Sequence, residues 1–231
     1  MKILGLDTST MMTTCAVMED ETLLGEFSLS LDMSHSEALV PMIGELMDNL
    51  GMKIMDMDGF AVSKGPGSFT GLRIGLATAK GFAHVTGKPI VGVSSLEVLA
   101  DNMYGHETVV PMMDARRDRV FTAIYKMEKN QWLPVLNPDA LPVDDLIQII
   151  NRDHERVVLV GDGAVKYRDE FVRGFSSKFL FAPGSLNLSR AASVCRLGLI
   201  KLADGRVDDM FTMAPEYLRD SQAQRMQNKK R

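Results

Sequence analysis

The sequence predicts an α/β protein built from two copies of one unit, and three observations carry that expectation. An apolar run ending in an acid occurs twice, at residues 3–6 before Asp7 and at residues 109–113 before Asp114, 107 positions later. Each run is followed by a hairpin-like stretch and then by alternating helical and strand-like segments. A glycine-bearing turn opens a helix at the same place in each half, Gly65-Pro66-Gly67 in the first and Gly161-Asp162-Gly163 in the second. Both halves give the order βββαβαβα. The repeat is one of element order rather than of residues, and it implies a duplicated fold with a cleft between pseudo-equivalent lobes.

In the first half, residues 3–6 form a short strand that ends at Asp7-Thr8-Ser9-Thr10. Residues 14–18 and 23–31 flank the polar turn Glu19-Asp20-Glu21 and predict a hairpin. Ser34 and Glu37 stand at capping-box spacing ahead of Leu39, Ile43, Leu46, Met47 and Leu50, which recur at helical intervals. The spacing predicts an amphipathic helix over residues 36–50, stopped by Gly51, in which Pro41 either introduces a bend or marks a later start. Phe60-Ala61-Val62 predicts a buried strand, and Gly65-Pro66-Gly67 breaks it. Ser68 is a good N-cap for a helix that runs to His84. Inside that helix Gly71, Gly75, Ala79 and Ala83 recur every fourth position and form one ridge almost bare of side chain. Two interior glycines cost about 2 kcal/mol relative to alanine. That cost calls for a close neighbour, either the chain's own sheet or a helix of another protein. A strand at 90–93 and a helix at 95–103 complete the unit.

The second half predicts a hairpin from 119–126 and 131–136, a helix at 143–150, a strand at 157–160, a helix at 165–173, a strand at 178–181 and a long helix at 188–203. A duplicated unit of this kind is the actin-like architecture, shared by Hsp70 and the sugar kinases. It places an N-terminal lobe at 1–105 and a C-terminal lobe at 106–220. Residues 221–231 carry Arg225, Lys229, Lys230 and Arg231 without an acid and predict a basic, disordered tail.

Composition narrows the function classes. A net charge of −4 argues against a surface built mainly for nucleic acid, so any RNA contact would be local or made through a partner. Cys15 and Cys195 lie far apart in no CxxC pattern, and His35, His84, His106 and His154 have no mutual metal-ligand spacing. Neither a disulfide framework nor a zinc site is indicated, and a reducing cytoplasmic setting is expected. The acid at position 7 leaves too short an apolar start for a signal peptide. No uncharged apolar run is long enough for a membrane span.

Particular residues go further than element order. Leu6-Asp7-Thr8-Ser9, Gly65-Pro66-Gly67-Ser68-Phe69-Thr70-Gly71-Leu72-Arg73-Ile74-Gly75, Gly92-Val93-Ser94-Ser95-Leu96-Glu97, Asp114-Ala115-Arg116-Arg117-Asp118-Arg119-Val120-Phe121 and Ala214-Pro215-Glu216-Tyr217-Leu218-Arg219 resemble the bacterial TsaB (YeaZ) family, from residue 1 to about residue 220. The resemblance implies a non-catalytic dimerisation subunit of the machinery that makes N6-threonylcarbamoyladenosine in tRNAs reading codons that begin with A. It implies pairing with the catalytic paralogue TsaD, cooperation with the ATPase TsaE and a homodimer when the chain is alone. It also implies contact with tRNA only through the complex, and no catalytic residue, cofactor or metal of its own.

The chemistry-bearing residues agree with that expectation. In the catalytic paralogue, the strand after the small-residue helix leads into two metal-binding histidines four residues apart. Laid on this sequence, those positions fall on Ser95 and Leu99, neither a plausible ligand. Gly65 to Gly71 has neither the dinucleotide fingerprint nor a Walker loop. The competing reading is a small-molecule kinase of the same fold, with metal and phosphate placed at Asp7 and Asp114. Such an enzyme wants glycine-rich turns there, and this chain has Thr, Ser, Ala and Arg. Ser94 and Ser95 lie in no nucleophile elbow. Asp114-Ala115-Arg116-Arg117-Asp118-Arg119 reads as a solvated hairpin turn with local ion pairs. The partner interface is expected as half of a four-helix bundle made by the two N-terminal helices, with Met42, Leu46, Leu50, Gly71, Arg73, Gly75, Ala79 and Ala83 as its contact residues.

Overall fold

The computed structural model describes residues 1–30 and 35–218. The first sheet holds β1 (Lys2–Asp7), β2 (Thr13–Glu19), β3 (Thr22–Leu29), β4 (Gly59–Gly65) and β5 (Ile90–Ser94), in the order β3-β2-β1-β4-β5. The second holds β6 (Thr108–Asp114), β7 (Arg119–Glu128), β8 (Gln131–Pro142), β9 (Arg156–Val160) and β10 (Lys178–Phe181), in the order β10-β9-β6-β7-β8. Read from the other edge, the second order repeats the first element for element. In both sheets the opening strand pairs antiparallel with its hairpin partner and parallel with the strand that returns after the first helix. The predicted duplication is therefore present.

Seven helices connect the strands among the described residues: α1 (His35–Leu50), α2 (Phe69–Thr86), α3 (Ser95–Asp101), α4 (Val143–Asp153), α5 (Asp162–Lys166), α6 (Arg168–Gly174) and α7 (Ala191–Ala203). Ser68 caps α2 by accepting from Gly71 N at 3.2 Å, and Gly87, with φ of 67°, ends it. Pro41 sits inside α1 without delaying its start, while Ser34 of the expected capping box lies outside the described residues. The single helix expected at 165–173 is two, because Tyr167 leaves the helical region between α5 and α6. The last helix begins at Ala191 rather than 188, after a 3₁₀ turn at Gly184–Leu186.

The layers explain which faces are apolar. Leu39, Met42, Ile43, Leu46 and Met47 of α1 and Leu76, Ala79 and Ala83 of α2 cover Leu4, Leu6, Val17, Phe60 and Val62 on the outer face of the first sheet. Helices α4, α5 and α6 cover the outer face of the second sheet. Between the sheets lies one shared core, with Ile3, Ala61 and Val91 from the first sheet and Val109, Tyr125 and Val158 from the second. Two helices cross between the sheets. Helix α3, from the first half, packs on β6, β7 and β8 as well as on β4 and β5, and α7, from the second half, packs on β1, β2 and β4. Glycines permit the second contact. A Cβ on Gly198 would stand 2.5 Å from Ala61 Cβ, and one on Gly5 would stand 2.6 Å from Cys195 Sγ. Both cysteines are buried free thiols, and burial pushes Cys15 up to about 12.

Where α3 and α7 touch, Asp101 accepts from Arg196 Nε at 2.9 Å and from Trp132 Nε1 at 3.1 Å, and Arg196 Nη2 donates to it as well. The Asp101 side chain is only 4% exposed. Beyond α7, the last described segment doubles back over the N-terminal lobe. Asp208 bridges to Ile90 at the free edge of β5, and its carboxylate accepts from Gly92 N at 2.8 Å. Lys80 Nζ donates to Met213 O at 2.5 Å, and Glu216 N to Lys64 O at 2.7 Å. This strap covers an edge that would otherwise present unpaired backbone groups.

Removing Arg196 leaves Asp101 buried without its counter-charge, an arrangement that costs about 3–5 kcal/mol when a buried pair is broken. Chemical denaturation of Arg196→Ala is expected to show a loss of that size. Arg206→Ala, which breaks the exposed Arg206–Asp204 pair, is expected to lose less than about 1 kcal/mol.

Candidate functional site

The two opening strands end facing one cavity of about 600 Å³ between the lobes. Its walls come from Ser9 and Thr10 after β1, the turn from Pro66 to Thr70, Asp114 to Arg116 after β6, Asp162, and Glu216 to Leu218 of the strap. The acid at each strand tip is where the fold would place charge chemistry.

Asp7 is fully buried, and its carboxylate is occupied from within the chain. Oδ1 accepts from Ser9 N at 2.7 Å and Ser9 Oγ at 2.8 Å, and Oδ2 accepts from Ser63 Oγ on the neighbouring strand β4. Burial raises the Asp7 pKa, and the hydrogen bonds from Ser63 and Ser9 oppose that rise without cancelling it. Asp114 differs. Burial alone would raise it, but Lys166 at 2.7 Å, Arg116 N at 2.9 Å and Tyr167 OH at 3.1 Å together hold it below the ordinary carboxylate range. The ion pair expected within the hairpin turn is thus made to Lys166, outside that turn. Ser63 was not among the expected site residues. The register could have indicated it, since Leu6 pairs with Val62 and the next residue on each strand is polar.

The glycine ridge serves this same turn. Thr8 Oγ1 donates to Gly71 O at 2.7 Å, and Ser68 N donates to Ser9 O at 2.7 Å. A Cβ on Gly71 would collide with Thr8 O, and one on Gly75 would lie 2.5 Å from Thr8 Oγ1. Ala79 and Ala83 are fully buried under the same helix. Most of the expected contact set packs within the chain. Gly71, Gly75, Ala79 and Ala83 face the chain's own β1 turn and sheet, Met42 and Leu46 are buried beneath α1, and Leu50 is half-buried. Of that set only Arg73 is exposed; its guanidinium lies 3.8 Å above the Phe69 ring, and its Nε donates to Tyr217 OH at 3.0 Å.

Ser95 and Leu99, at the positions aligned with the paralogue's ligands, are both buried, and the Ser95 hydroxyl has no hydrogen-bond partner among the described residues. Among the described residues no three His, Cys, Asp or Glu side chains converge into a group able to hold a metal. No helix among them is long and apolar enough to cross a membrane.

A family model described as TsaD, tRNA N6-adenosine threonylcarbamoyltransferase, matches residues 30–226. The "tRNA threonylcarbamoyladenosine biosynthesis protein TsaB" of Bacillus subtilis is 30% identical across 97% of this chain and 96% of its own length. The chain belongs to the TsaB (YeaZ) family. YeaZ from Pseudomonas aeruginosa aligns with it at a TM-score of 0.80 and 27% identity, covering 94% of this chain and 99% of that one. Outside TsaB, the ROK hexokinase of Thermus thermophilus aligns at a TM-score of 0.54 and 12% identity over 89% of this chain and 100% of its own. That likeness is one of actin-like fold alone. In this TsaB-family chain, the strand-tip acids of the shared fold are tied to residues of the chain itself.

The raised Asp7 pKa sets the sign of a pH effect. A carboxyl whose folded pKa lies above its unfolded value contributes stability that is fully present below the unfolded pKa and is lost as pH rises through the folded one. Asp7→Asn keeps the shape and removes the titration. Relative to that variant, the wild type is expected to gain stability as pH falls from neutral towards the ordinary carboxylate range, read from paired melting curves.

Proposed function

We propose that the protein is a non-catalytic subunit in the biosynthesis of N6-threonylcarbamoyladenosine in tRNA, working in the cytoplasm. It pairs with a TsaD-type catalytic paralogue, is served by a TsaE-type ATPase, and pairs with itself when no paralogue is present. The observation that carries this reading is TsaB-family similarity over nearly the whole chain. The site supports the non-catalytic part. Asp7 is sealed by Ser9 and Ser63, Asp114 is held by Lys166 and Tyr167, and the two positions aligned with metal ligands are a buried serine and a buried leucine.

The pairing surface in this reading is still the pair of N-terminal helices, but on their outer faces. Gly44 on α1 and Gly81 on α2 have nothing among the described residues, beyond their own helix, within 4 Å of a Cβ position. Interior helix glycines cost about 1 kcal/mol each relative to alanine, and the chain's own packing gives no reason for these two. A second helix approaching closely supplies one. Val40 at 54% and Val85 at 75% exposure lie on the same outer faces.

Two substitutions separate inner from outer face. Gly81→Leu is expected to leave the melting temperature unchanged or higher, and to weaken pairing by about 5- to 150-fold, the equivalent of 1–3 kcal/mol of overpacking. Gly75→Leu is expected to lower the melting temperature sharply, because the added side chain drives into Thr8. Co-purification with a TsaD-type protein and light scattering read the pairing. Intact pairing in Gly81→Leu removes the α2 outer face from the interface.

A further inference from the structure

The mouth of the interlobe cavity carries cations that the rest of the chain leaves unused. Arg116, Arg117 and Asp118 have φ of 61°, 57° and 55°. Left-handed residues with side chains ordinarily occur singly and at a cost, and here three stand in a row. The tip is pinned in that shape. Ala115 N donates to Arg119 O and Val143 N to Asp118 O, each at 3.0 Å, while the Arg119 guanidinium donates to Ala140 O at 2.6 Å. Asp114, two residues before Arg116, is occupied by Lys166. Arg116 and Arg117 are exposed, and their guanidinium groups have no ion pair or hydrogen bond among the described residues. Arg116 lines the cavity.

On the N-terminal lobe, the Arg73 guanidinium sits over the Phe69 ring and its Nε donates to Tyr217 OH, and both of those rings line the cavity. Leu218, the last described residue, lines it too. The interior of the cavity has the opposite character, with Asp114, Asp162 and Glu216 in its walls. An anion inserted deeply meets carboxylates, whereas a phosphate chain passing over the mouth meets arginines on both sides.

We propose that this rim, with Arg116 and Arg117 on the C-terminal lobe and Arg73 on the N-terminal lobe, is a contact surface for the phosphate backbone of tRNA. It rests on the tRNA-modifying reading above and gives that assembly a place where this subunit itself touches the nucleic acid. A local rim of this kind is compatible with a chain whose net charge is −4, because contacts with a polyanion depend on where cations stand rather than on their sum. The left-handed tip has a use in this account, since it holds two adjacent arginines outward where a regular hairpin turn would alternate them.

The test uses the full-length chain in complex with its TsaD-type partner and a tRNA substrate, with binding followed by fluorescence anisotropy across a salt series. Arg116→Gly combined with Arg117→Gly removes both charges, and glycine accepts the left-handed backbone without penalty, so the melting temperature is expected not to fall. Each lost phosphate contact lowers the slope of log affinity against log salt by about 0.7–0.9. The double glycine variant is therefore expected to bind several-fold more weakly, with a slope shallower by about 1 to 2. Arg116→Lys with Arg117→Lys is expected to keep the wild-type slope. An unchanged slope and affinity in the double glycine variant, in a complex that still assembles and binds tRNA, overturns the contact surface and leaves the assembly reading standing. A wild-type chain that pairs with no TsaD-type protein overturns the assembly reading, and this surface with it.

Discussion

Helices α3 and α7 touch between the two sheets, and the rest of the architecture depends on that contact. Each comes from one half of the sequence and packs on the sheet of the other, so neither sheet has a core of its own on its inner side. Helix α7 lies close enough on the first sheet to require Gly198 in the helix and Gly5 on β1, while Asp101, Arg196 and Trp132 tie α3 to α7 with directional bonds where apolar packing alone would allow sliding. The two lobes are consequently joined through a shared interior rather than hung on a linker. A cleft bounded by such lobes keeps its shape because changing it would disturb the middle of the protein.

The strand-tip acids show how two copies of one unit have diverged. Asp7 is surrounded by hydroxyls and an amide and is shut away from water; Asp114 keeps partial exposure and a lysine partner. The same backbone position thus carries a carboxyl shifted upward in one lobe and downward in the other. Burial raises Asp7 against the opposing hydrogen bonds of Ser63 and Ser9, whereas at the more open Asp114 the bonds from Lys166, Arg116 N and Tyr167 outweigh burial. Small polar residues placed beside a strand end are enough to change a reactive group into a structural one.

The order of elements along the chain was legible because its signals are local: an acid after an apolar run, a polar hairpin turn, a glycine turn before a helix. Helix exchange was not legible, because the apolar residues of α3 and α7 look the same whichever sheet they cover. The glycine ridge of α2 was visible as a bare face, but periodicity does not say what a bare face meets, and the Thr8-Ser9 turn met it first. The strap had no periodic pattern to read, since its hold on β5 comes from one aspartate and a few backbone groups. Arg116 and Arg117 were visible as charges, whereas their lack of partners followed from Lys166, fifty residues further along the chain, reaching Asp114.

Helix α7 and the strap also fix when this protein can be completed during synthesis. The first sheet is made before the second, yet its inner face waits for Ala191–Ala203 and its β5 edge waits for Asp208, both of which follow the second sheet. Until the ribosome has delivered them, the nascent N-terminal half presents Ile3, Ala16, Ala61 and Val91 on a bare inner face beside an unpaired strand edge. Contacts that span most of a chain form late, and exposed apolar faces and open edges invite association with other chains meanwhile. The duplicated plan therefore does not yield two halves that mature one after the other; the first sheet is finished by residues that follow the second.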